Sequence, residues 1–186
     1  NEASFDAGTG IVGTVSGTSI SFGSPAVFDS SGAGTPHSSV YDTNAGKVVV
    51  FYRDTSDSSK GKASVGTVSG TSISWGSLVN FNGNDYTNSI SASYDSTAQK
   101  IVVCFADLGN STYGSSVVGT VSGTSISFGT KVVFSSSSTE DAFAAYDSAN
   151  NKTVVTYKDG GDSDKGKAAV GTVSGTSISF GTAVQF

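Results

Sequence analysis

The residue types that do most protein chemistry are nearly missing from this chain. Its 186 residues hold one histidine, His37, and one cysteine, Cys104. Serine is plentiful, but a serine nucleophile needs a base beside it. His37 stands where two related segments have Ile90 and Ala142, so the fold does not depend on it. Cys104 lies in an apolar run, at the position of Phe51 and Thr156, and reads as a packed side chain. Zinc sites need clustered Cys and His, and there are none. Glu140 with Asp141 is a carboxylate pair of the kind that cleaves sugars, yet it occurs in one segment only. The chain is expected not to be an enzyme.

Binding chemistry has more to work with. The run Asp159-Gly-Gly-Asp162-Ser-Asp164 places carboxylates at close spacing on a flexible loop, which suits calcium. Asp54 and Asp57 fill the same place earlier in the chain. Lys165 and Lys167, or Lys60 and Lys62, follow at once and offset that charge, so a solvated polar loop is the competing reading. Asn110-Ser-Thr and Asn151-Lys-Thr are N-glycosylation sequons in predicted loops. Tyr86 and Tyr113 could stack on a sugar. With Asn82, Asn84, Asp85 and His37 they make up the candidate ligand-binding set.

The elements that carry these residues come from an internal repeat. Val-Gly-Thr-Val-Ser-Gly-Thr-Ser-Ile-Ser begins at Val12, Val65, Val118 and Val170, at offsets of 53, 53 and 52 residues. A second motif, Tyr-Asp followed by Lys and an apolar run, begins at Tyr41, Tyr94 and Tyr146 with the same period. One period in two motifs marks a tandem repeat. Each unit shows four strand signals, rich in β-branched and aromatic residues between Gly, Asp and Asn. The first is small-residued and the second is the most apolar. The third and fourth are joined by Gly-Thr, whose glycine suits a type II′ hairpin. Asp42, Asp95 and Asp147 suit the turn between the first two strands by bonding local backbone.

The expected architecture is therefore all-β, built of four-stranded antiparallel units of about 53 residues. That size matches β-propeller blades. Residues 1–28 form a half unit of two strands, followed by repeats at 29–81, 82–134 and 135–186. This makes about fourteen strands, or roughly three and a half blades. Such an array does not close alone, so self-association is expected: a dimer completing a propeller, or a head-to-tail array. A section of a longer repeat protein is the third option.

Tandem Gly-Thr-Val-Ser-Gly-Thr-Ser-Ile-Ser-Phe-Gly with Tyr-Asp and Lys-Val-Val-Val resembles repeats in predicted phage structural and bacterial surface proteins. The resemblance covers nearly the whole chain and implies an exposed fibre or adhesion module. Composition agrees with an extracellular or virion- or cell-surface location: no Met, one Cys, an acidic balance and abundant Ser and Thr. The net charge of -5 and the scattered basic residues exclude a nucleic-acid stripe. No apolar run reaches the ~20 residues of a membrane-spanning helix. Two functions remain open, a structural or adhesive repeat that acts by assembly and a lectin-like module. The lectin reading rests on the loops that differ between units, which would emerge together on one face opposite the constant turns.

Overall fold

A computed structural model describes residues 7–186. Strand makes up 67% of it and helix 3%, the latter two single 3-10 turns at Leu108–Asn110 and Gly160–Asp162. The chain is all-β, and every strand pair is antiparallel. The half unit holds β1 (Gly8–Gly10), β2 (Gly13–Ser16), β3 (Ser19–Phe22) and β4 (Ala26–Asp29). Unit 1 holds β5 (Ala33–Asp42), β6 (Lys47–Asp54), β7 (Lys60–Ser69), β8 (Ser72–Trp75) and β9 (Val79–Asn80). Unit 2 follows with β10 (Thr87–Asp95), β11 (Lys100–Asp107), β12 (Tyr113–Ser122) and β13 (Ser125–Phe128). β14 (Val132–Asp147) leads into unit 3, with β15 (Lys152–Asp159), β16 (Lys165–Ser174), β17 (Ser177–Phe180) and β18 (Val184–Gln185).

The four strands of each unit meander in sequence order, as in β5-β6-β7-β8. The strands number more than fourteen because the fourth breaks at a glycine after its aromatic residue. Gly23, Gly76, Gly129 and Gly181 each donate an N–H to the third-strand Val carbonyl, at 2.8–3.0 Å, before pairing resumes. In the half unit the third strand is split as well, into β1 and β2. β14 crosses the expected boundary at residue 134 unbroken. Its start pairs with β12 and its end with β15. Among the described residues the sheets stay open, with no closed barrel or propeller.

Both kinds of turn follow from their residues. Gly17, Gly70, Gly123 and Gly175 have φ of +59 to +61°, while the threonines after them do not turn positive. That is the type II′ pattern, which only glycine adopts without strain. Asp42 Oδ1 accepts from the N–H groups of Asn44 and Ala45, at 3.0 and 2.9 Å. Asp95 does the same for Thr97 and Ala98, and Asp147 for Ala149 and Asn150.

Units stack face against face, and one aromatic contact recurs at every junction. The last aromatic of one unit enters between two rings of the next. Phe28 meets Tyr52 and Trp75, Phe81 meets Phe105 and Phe128, and Phe134 meets Tyr157 and Phe180, with centroids 5.2–6.1 Å apart. Around these lie two apolar cores, one between units 1 and 2 and one between units 2 and 3. The first strands lie alongside each other, stitched by Ser38 Oγ accepting from Ala92 N–H at 3.1 Å and Ser91 Oγ from Ala144 N–H at 3.0 Å. At the constant-turn end, Tyr94 OH accepts from Asn44 N–H and Tyr146 OH donates to Thr97 Oγ1.

Neighbours decide burial of the second strands. β11 has a unit on either side and is buried from Ile101 to Asp107. β15 alternates buried with half-buried residues, because one face of unit 3 has no neighbour among the described residues. Val154 is half-buried for that reason, where its counterparts Val49 and Val102 are buried.

A close backbone approach locks the outer strands. A Cβ on Gly23, Gly76 or Gly129 would run into the carbonyl oxygen of Thr71, Thr124 or Thr176 in the following unit. In dilute solution, Gly76→Ala is expected to lower stability by about 1–3 kcal/mol, the cost of overpacking. Gly181→Ala, where the nearest atom to a Cβ would be 3.8 Å away, should stay within about 0.5 kcal/mol of the parent. Urea unfolding of the two variants checks this, and equal losses would rule out a steric interlock.

Candidate functional site

The variable loops gather at one end of the sheets, opposite the Asp and Gly-Thr turns. Thr55 N–H donates to Gly32 O, Leu108 N–H to Tyr86 O and Thr139 N–H to Thr112 O, at 2.7–3.0 Å. Units 1 and 2 thus each tie their second-to-third loop to the connection entering their own first strand, while the Thr139 bond ties the entry of unit 3 to the second-to-third loop of unit 2.

A buried carboxylate anchors each of these loops. Asp54, Asp107 and Asp159 close the second strands and are 2%, 0% and 5% exposed. In unit 1, Lys62 reaches Asp54 at 2.6 Å and Asp57 at 2.9 Å. In unit 3, Lys167 reaches Asp159 at 2.7 Å and Asp162 at 3.0 Å. Unit 2 has Ser115 where the others have lysine, and its buried hydroxyl has no partner. There Lys131 arrives from the fourth-strand segment instead, 2.5 Å from Asp107 and 3.3 Å from Asp85.

These pairs set the charge states. Burial pushes the Asp54 carboxyl up, but hydrogen bonds from Lys62 and Ser56 outweigh it and hold the group below the usual range. Asp159 behaves alike: burial raises it, and Lys167, Ser137 and Gly161 N–H lower it further. Burial lowers Lys131, and Asp107 and Asp85 raise it past its ordinary value.

The sequence-derived binding residues divide between these surroundings. Asn82 is buried, and it is a structural member of the network rather than a free donor. Its Nδ2 donates to Asp107 Oδ1 at 2.9 Å and Thr87 Oγ1 at 3.1 Å, while its Oδ1 accepts from Lys131 at 2.9 Å. Asp85 joins the same cluster. Asn84 and Tyr86 are exposed, and Tyr113 is half-buried, paired with Asp107 and Ser138. His37 is elsewhere, exposed on β5 at a hollow of about 560 Å³ between the half unit and unit 1.

The carboxylates considered for calcium are taken by lysines. Asp159 and Asp162 bind Lys167, Asp162 also binds Lys165, and Asp164 lies 3.5 Å from Lys158. Among the described residues no three His, Cys, Asp or Glu side chains are grouped to hold a metal. Glu140 bonds Lys158 at 2.8 Å. Burial pushes the Cys104 thiol up to about 12, which leaves it protonated and unreactive at neutral pH. Of the sequon residues, Asn110 ends the 3-10 turn at Leu108–Asn110 and is half-buried. Asn151 is exposed, and its Oδ1 accepts from Thr97 Oγ1, with Tyr146 OH 3.1 Å away.

One cleft on this end could hold a small polar ligand. It measures about 350 Å³ and lies where the first strands of all three units start, lined by Pro36, Asn88, Ser89, Thr112, Glu140 and Asp141 among others. Ser89 and Asp141 have φ of +52 and +49° there, at the register shifts of β10 and β14. Sequence reading missed this cleft, because its residues come from three units.

The fold and this loop end define a tandem-repeat all-β protein with open sheets. No protein-family model matches the chain, and no curated protein matches it.

Two measurements test the anchors. Lys131→Ala leaves Asp107 buried without its cation and should cost about 2 kcal/mol, less than a fully buried pair because Lys131 touches solvent. Adding Ser115→Lys, which restores the arrangement of units 1 and 3, should recover at least half of that loss. No recovery in chemical denaturation would mean that Lys131 acts by packing alone. The pH dependence has a fixed sign. Asp54 and Asp159 titrate below their unfolded values, so their contribution is complete above the unfolded carboxylate pKa of about 3.9 and is lost as pH falls through the folded values. Asp54→Asn should flatten the acid limb of the stability curve, and an unchanged limb would exclude Asp54 as its source.

Proposed function

We propose that this chain is a non-catalytic, extracellular structural or adhesive repeat protein that acts through assembly, with its units arranged as β-propeller blades. One observation carries the proposal: among the described residues, the most exposed aliphatic and phenylalanine side chains lie in the half unit and in unit 3, at the two ends of the array. Ile20 is 54% and Phe22 61% exposed at one end, and Val170 is 47% and Phe186 77% exposed at the other. Exposed apolar surface of this kind favours association. The likeness to phage structural and bacterial surface repeats agrees with this reading, as does the local pairing of loop carboxylates with lysines. Blade geometry is supported by the small first strands lying alongside one another while the broader outer strands interlock.

Sedimentation velocity on the purified chain tests the reading. Weight-average mass should climb with concentration, and electron microscopy should show rings or fibres. A single compact monomer at every concentration would end it.

A second, lectin-like reading is favoured by the cleft of about 350 Å³ between the first strands. Its polar lining is of the kind that orients a sugar. Under that reading Asn88→Ala and Glu140→Gln should abolish glycan binding on an array while leaving assembly intact. Absence of glycan binding by the parent protein would remove it.

A further inference from the structure

We infer that the two ends of the array are each other's binding sites: the outer face of unit 3 docks on the half unit of a second copy, head to tail. This rests on the assembly reading and specifies its interface. The internal junctions say what should cover each bare face, because the same positions meet three times within the chain.

The apolar positions match first. Val65 and Val118 look toward the following unit and are fully buried, whereas their counterpart Val170 is 47% exposed. On the receiving side, Ile126 and Ile178 are each 3% exposed, whereas Ile20, at the same position of the half unit, is 54% exposed. Val170 therefore lacks the partner that Ile20 would supply, and Ile20 lacks the converse.

The aromatic insertion is left unfinished in the same way. Phe28, Phe81 and Phe134 each contact the fourth-strand aromatic of the following unit: Trp75, Phe128 or Phe180. Phe186 is the next in that series and projects into solvent. Phe22 is the fourth-strand aromatic of the half unit, and it too is exposed. In the repeat's own register, Phe186 of one copy meets Phe22 of the next.

The backbone interlock is the most specific part. The glycine is needed at Gly23, Gly76 and Gly129 because a threonine carbonyl of the following unit presses on it. Gly181 sits at the same position with open space in front of it, where a side chain would fit. Thr18, in the hairpin turn of the half unit, is the threonine that has no glycine to meet. Docking brings the Thr18 carbonyl of one copy onto Gly181 of another.

The contact joins different surfaces, so it is heterologous and propagates into a ring or a filament according to the rotation per step. It also explains a substitution within the repeat. Ser38 and Ser91 hold the first strand of the following unit, but the half unit offers none among the described residues. Unit 3 has Phe143 at this position, 65% exposed, and an apolar side chain loses nothing where there is no N–H to accept.

Gly181→Val blocks one end and Phe22→Asp the other, both at sites free of contacts that the monomer needs. Circular dichroism first verifies the strand signal, and Phe186→Asp replaces Gly181→Val if that variant fails to fold. In sedimentation, each variant alone should remain monomeric at concentrations at least tenfold above those at which the parent assembles. Mixed, they should give a 1:1 dimer and nothing larger, because one free end of each kind remains. A parent that assembles while either variant still grows like it would overturn this interface and leave the assembly reading standing. Two blocked variants that stay monomeric when mixed would also overturn it, while a monomeric parent would overturn both.

Discussion

The structure depends on one contact, the insertion of a terminal phenylalanine between two aromatic rings of the following unit. A four-stranded sheet with apolar side chains on both faces cannot stand alone in water, and at only 13% charged residues this chain has little polar surface to spare. Phe28, Phe81 and Phe134 solve this identically three times. Each brings a large apolar side chain, and buried aromatic pairs of this kind contribute beyond the area they cover, by roughly 0.5–1.5 kcal/mol. Around that insertion, glycines let the next turn approach and serines bind the neighbouring first strand.

Stability in such an array is a sum of weak units and strong junctions. Unit 2, with a neighbour on either side, has the driest second strand, and unit 3 shows the alternation of a sheet with one wet face. The difference is not in local propensity, since Val154 and Val102 come from the same motif. It arises because hydrophobic burial is a property of two surfaces and not of one segment.

The buried aspartates show the repeat adapting. A carboxylate that is 0% exposed is costly without a cation, and each unit must supply one. Units 1 and 3 take it from the third strand. Unit 2, which has serine at that position, takes it from Lys131 on a different strand and adds Asn82 to complete the hydrogen bonding. The ion pair survives although the residues that make it have moved.

Much of this was legible in the sequence. The period of 53 residues is written in the sequence itself, the II′ glycines and the aspartate turns are local chemistry decided by residues a few positions apart, and all three stand in the structure as read. The gathering of variable loops at one end follows from the meander and was legible too. Other features were decided only by tertiary contact. Asn82 looks like a ligand residue until Asp107 and Lys131, 25 and 49 positions away, are seen to enclose it. The loop carboxylates look like a cation site until the lysines beside them fold onto them. One sequence signal did exist for Lys131: Asp107 is kept while its expected partner has become Ser115. The cleft between first strands had no signal at all. Its walls come from three units, and only their stacking brings Pro36, Asn88 and Glu140 to one place.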